Sequence, residues 1–88
     1  MFSSWGVETA RKFSREGLES VLSALDSGKC GEVLRAKGIV ETPDGEWLHF
    51  DFVPGETDIR AGAAAVTGRL CVIGAGLDEA GIKELFGV

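Results

Sequence analysis

His49 is the only histidine in the sequence, and Cys30 and Cys71 are the only cysteines. A zinc site needs several such side chains at short spacings, as paired cysteines or two histidines one helical turn apart. Neither pattern occurs. Cys30 lies in the turn-like Gly28-Lys29-Cys30-Gly31, and Cys71 lies in an apolar run, where a small buried hydrophobe is expected. His49 falls on the polar side of a strand pattern and reads as a solvated strand residue. The carboxylates Glu41, Asp44 and Glu46 gather round a turn, where charge is ordinary solvation. No nucleophile has a histidine beside it. Arg35 and Lys37 could hold an anion, but Lys37 falls opposite Asp51 in the hairpin formed by Glu32–Glu41 and Glu46–Val53, so an ion pair is its expected use. No catalytic, cofactor-binding or metal residue is assigned.

Val72-Ile73-Gly74-Ala75-Gly76 stands where a dinucleotide fingerprint would stand, after a strand and before a helix. The third glycine of that pattern falls on Glu79, whose carboxylate would oppose a pyrophosphate. A tight strand-to-helix turn is the better reading. No Gly-x-x-x-x-Gly-Lys-Ser/Thr phosphate loop is present.

The chain has 88 residues, which is one domain. A domain of this size buries about 60–65% of the surface its unfolded chain exposes, so its core is modest. Nine basic against 14 acidic residues leave a net charge of -5, unsuited to a nucleic-acid backbone or an anionic membrane surface. No apolar run approaches the ~20 residues that span a bilayer. Met1-Phe2-Ser3-Ser4-Trp5-Gly6 lacks the basic-then-apolar pattern of a signal peptide, and a cytoplasmic location is expected. Two cysteines build no disulfide framework.

The elements follow from periodicity. Ser3–Thr9 is β-prone, with Trp5, Val7 and Thr9 on one side. Ser14 is a plausible N-cap, and Phe13 with Leu18 has the spacing of a hydrophobic staple. Leu18, Val21, Leu22 and Leu25 make one apolar helical stripe, stopped at Gly28. Glu32–Glu41 and Glu46–Val53 read as a β-hairpin around Pro43-Asp44-Gly45, with Gly45 in the left-handed position. That loop sets Thr42 opposite Glu46, Val40 opposite Leu48, Gly38 opposite Phe50 and Ala36 opposite Phe52. Small residues meet large ones, and Leu34 joins this core side. Thr57–Ala61 reads as a short edge strand, the residues from Ala61 to Gly68 stay unassigned, and Arg69–Ile73 reads as a central strand. Gly74-Ala75-Gly76 turns the chain, and Asp78 caps a last helix, with Leu77 and Ile82 as a second staple and Leu85 and Phe86 on its apolar side. The expected architecture is α+β, a two-layer sandwich of a mainly antiparallel sheet with two helices on one face, in the order β-α-β-β-β-α.

The second face of the hairpin resists a simple assignment. It carries Val33, Arg35, Lys37, Ile39, Trp47, His49 and Asp51, with Val53 beyond them. That set is too apolar for water and too charged for a core, and a contact surface for another protein is expected there.

Five stretches, in order, resemble the C-terminal domain of the CobW-like GTPases: the Phe13-Ser14 helix entry, Leu34-Arg35-Ala36-Lys37-Gly38, Trp47 with Phe50 to Pro54-Gly55, Arg69-Leu70 with Val72-Ile73-Gly74, and Leu77-Asp78-Glu79 leading to Leu85-Phe86. The resemblance spans nearly the whole chain. It implies a non-catalytic accessory domain, excised from a larger metal-handling GTPase or standing alone; the alternative reading of the residues is a free-standing small ligand- or metal-binding domain that uses His49 with nearby carboxylates. GTP and a divalent metal such as zinc or cobalt would then belong to the parent's N-terminal domain, whose nucleotide loops and Cys-x-Cys-Cys motif are absent here. The implied partners are that GTPase domain or a metalloenzyme client, with weak homo-oligomers also open, in cobalamin biosynthesis or metal insertion.

Overall fold

The computed structural model describes residues 1–88. The elements are β1 (Phe2–Thr9), α1 (Arg15–Asp26), β2 (Glu32–Glu41), β3 (Trp47–Val53), β4 (Glu56–Ala61), β5 (Gly68–Ala75) and α2 (Glu79–Phe86). All strands join one sheet in the order β1-β5-β2-β3-β4, and every neighbouring pair is antiparallel. This is the expected α+β two-layer sandwich with one strand more, because Glu56–Ala61 and Gly68–Ala75 both pair. β5 runs through Gly74 and Ala75, so the turn expected at Gly74 begins only at Gly76. No helix is long and apolar enough to cross a membrane.

The helices start as their caps dictate. The Ser14 hydroxyl accepts from the Gly17 N–H at 3.0 Å, and Asp78 accepts from the Gly81 N–H at 3.1 Å. α1 buries Leu18, Leu22 and Leu25, and α2 buries Ile82 and Phe86. Both stripes enter one core with Val40, Leu48, Phe50, Phe52, Leu70 and Val72 from the sheet. Phe86 stacks on Trp5 with ring centroids 5.8 Å apart and meets Phe13 edge-on at 6.2 Å, tying α2 to β1 and to the entry of α1.

The hairpin has the three-residue loop. Thr42 N–H donates to the Glu46 carbonyl at 2.8 Å, Glu46 N–H donates to the Thr42 hydroxyl at 3.2 Å, and Gly45 takes φ of 87°. The ladder sets Val40 opposite Leu48, Gly38 opposite Phe50 and Ala36 opposite Phe52.

One element departs from simple alternation. Along β5, Val33 pairs with Gly74 and Arg35 with Ile73, so one extra residue of β2 is inserted between them. Such a β-bulge reverses the side-chain alternation on one side of it. Val33 therefore turns into the core at 5% exposure, while Leu34, expected in the core, stands 36% exposed. Val33 leaves the charged face assigned to it from the sequence.

Candidate functional site

Both helices cover one face of the sheet, and the other face has no layer over it. Its side chains are those that alternate with the core. β1 contributes Glu8, β5 contributes Arg69, Cys71 and Ile73, β2 contributes Arg35, Lys37 and Ile39, β3 contributes Trp47, His49 and Asp51, and β4 contributes Asp58 and Arg60. Six of the seven residues expected at an interface are thus on one surface: Arg35 and Lys37 exposed, and Ile39, Trp47, His49 and Asp51 half-buried. Val33 is the exception, for the reason given by the bulge.

Three zones divide this face. At one end, the connection from β4 to β5 crosses over the sheet. Gly62 N–H donates to the Trp47 carbonyl at 3.1 Å, and the Thr67 hydroxyl donates to the Thr9 carbonyl at 3.2 Å. The His49 ring lies under this strap, its Nε2 2.8 Å from the Ala63 carbonyl, and Gly62 rests so close that a Cβ there would meet the ring. For that bond His49 must carry the proton on Nε2. The expected solvated histidine is therefore a strut that holds the strap. No group of three or more His, Cys, Asp and Glu side chains converges anywhere in the chain to hold a metal ion.

The middle zone is a shallow groove of about 410 Å³, lined by Arg35, Lys37, Arg60 and Arg69 with a single carboxylate, Asp51. Lys37 stands directly across from Asp51 in the ladder, yet the expected ion pair between them is replaced. Asp51 Oδ1 faces Arg35 at 3.6 Å and Oδ2 faces Arg60 at 3.0 Å, so both oxygens are taken by arginines. Arg60 also binds Asp58, and these hydrogen bonds, Asp58 first and Asp51 second, push the guanidinium pKa further above its ordinary value. Arg69 pairs with Glu8 at 3.5 Å. Lys37 takes part in none of the ion pairs. All of these groups are substantially exposed, so each pair contributes little to stability and more to orientation.

The third zone is apolar. Phe2, Leu34, Val53 and Ile73 are exposed large hydrophobics, and strand register places them at the same end of this face, on four different strands. The β2–β3 hairpin by itself misses Arg60, which comes from the next strand, and Arg69, Phe2 and Ile73, which arrive from strands far off in sequence. The alternation Arg69, Cys71, Ile73 is the one local signal that could have placed part of the set.

The sequence matches the family described as Cobalamin synthesis protein cobW C-terminal domain over residues 2–88. No curated protein matches it. Among solved structures it is similar to a Zn(II)-bound triple mutant of YjiA GTPase, with a TM-score of 0.83 and 21% identity over 98% of this chain. It is also similar to Zn(II)-bound YjiA GTPase from E. coli, with a TM-score of 0.78 and 24% identity over 98% of this chain. At these identities the likeness is one of fold, and the chain spans 29% of each of those proteins. The fold and the match along nearly every residue together make this chain a member of the cobW C-terminal domain family.

Proposed function

We propose that this chain is a non-catalytic accessory domain of a CobW-like, metal-handling GTPase, and that it packs on the GTPase domain or a client protein through the open face of its sheet. One observation carries the reading: the sandwich is complete on the helical side, while the opposite face presents exposed apolar and charged side chains together across all five strands. A face of this composition gains from being covered by a complementary surface. The fold corresponds to a 29% portion of a GTPase, which supports a module serving a larger chain. GTP chemistry and any metal cargo would then reside outside this domain.

Trp47→Ala, made in the isolated chain and in the full-length parent, tests the proposal. The expected result is a weaker domain–domain or client contact in the parent, with little change in the melting temperature of the isolated chain. A large loss of stability in the isolated chain would make Trp47 a structural residue under the strap and remove this support. Calorimetric titration of the isolated chain with GTP should show no binding, and low-micromolar binding would overturn the accessory role.

A further inference from the structure

Resting on the reading of the open face as a contact surface, the geometry points to the class of partner: we propose that the groove takes an acidic, amphipathic protein segment. Its carboxylates would meet Lys37 and the arginines beside it, and its apolar side chains would lie on Leu34, Val53 and Ile73.

Charge carries the first half of this inference. The whole chain is acidic, at -5, yet four cations and one carboxylate line this groove. That carboxylate is already spent on Arg35 and Arg60, Arg60 is shared with Asp58, and Arg69 holds Glu8 at the groove's edge, so the three arginines are matched by three carboxylates and Lys37 is the cation left over. Lys37, in the centre, has no carboxylate within 4.0 Å. An arriving carboxylate would find an unpaired ammonium flanked by arginines that are already oriented. Cations already oriented by their own ion pairs favour a fixed anionic group over a mobile counterion.

Packing carries the second half. A strand with unbroken alternation would place Leu34 inside and Val33 outside. The bulge buries the smaller side chain and exports the larger, next to Arg35 and on the end of the face that holds Ile73 and Val53. Bulges often re-aim side chains in this way at working surfaces. A nucleic-acid backbone would match neither the apolar band nor the carboxylates interleaved with the arginines, so protein is the partner that the surface fits.

The test uses the isotope-labelled chain and amide chemical shifts. Three probes are titrated: an amphipathic Leu/Glu peptide, its Leu/Lys counterpart, and a single-stranded oligonucleotide. The expected result is saturable shifts in β2 and β5 with the Leu/Glu peptide alone, weakening as salt is raised. Lys37→Glu should weaken that binding by about tenfold or more, and Leu34→Asp by several-fold, as expected for central groups of a small interface. Both variants should keep the parent spectrum elsewhere. Equal binding of the Leu/Lys peptide, shifts confined to the helical side, or no shifts at all would overturn the inference. Oligonucleotide binding on this face would replace it with a nucleic-acid surface. The two proposals fail separately: an inert groove together with a Trp47→Ala parent that loses its domain contact sinks only the acidic segment. A groove that binds the peptide beside an unaffected Trp47→Ala parent sinks only the accessory-contact reading.

Discussion

Gly38 lies directly across the β2–β3 ladder from Phe50, and a Cβ built on Gly38 would stand 2.6 Å from the ring's Cε2. The ring fills the space a side chain would occupy, and the Arg69 carbonyl of β5 closes the site from the other side. Gly38→Val should therefore destabilise by roughly 1–3 kcal/mol or more through overpacking, read from urea denaturation midpoints. Gly45 offers the contrast, since nothing lies within 4 Å of its added Cβ and only its φ of 87° resists substitution. Gly45→Ala should cost on the order of 1 kcal/mol, and Gly45→Asn less, because asparagine tolerates the left-handed region. Equal stability of both Gly38→Val and Gly45→Ala with the parent would contradict the hairpin.

The bulge makes adjacent residues unequal. Val33→Ala should destabilise by roughly 1.5–3 kcal/mol, the worth of a fully buried aliphatic side chain. Leu34→Ser, though it removes the larger group, should cost less than Val33→Ala, because Leu34 is 36% exposed where Val33 is 5% exposed. Reversal of that order in thermal or urea melts would show unbroken alternation along β2.

Cys30 and Cys71 should behave differently toward thiol reagents and pH. Cys30 is 1% exposed, and burial first, then the nearby Asp78 carboxylate, push its thiol above the ordinary value of 9.0, with Lys29 opposing. A thiol reagent at neutral pH should label only Cys71, which is half-buried on the open face, until the chain is unfolded. The linkage has a definite sign. The folded chain keeps the Cys30 proton at pH values where the unfolded chain loses it, so this contribution is intact below about pH 9 and declines as the pH rises past that value. Cys30→Ala should lower stability at neutral pH and flatten the alkaline decline. A decline as steep as the parent's would place the cause in another group.

Local chemistry in the sequence determines much of this protein. Helical stripes at Leu18, Leu22, Leu25 and at Ile82, Phe86 repeat with the 3.6-residue period, and a cap or glycine sets where each begins or ends. The hairpin register follows from one loop, because a single-residue slip would send Phe50 and Phe52 to the wrong face. What tertiary structure alone decides comes from strands meeting across long stretches of chain. Pairing with β5 creates the bulge that exchanges Val33 and Leu34, which no property of β2 by itself announces. β4 brings Arg60 to one oxygen of Asp51 while Arg35 faces the other, which leaves Lys37 without the partner that stands across the hairpin from it. The strap from β4 to β5 turns His49 from a solvated residue into a support. Side-chain alternation is a property of each strand, whereas the strands that lie beside it are chosen by how the whole core packs.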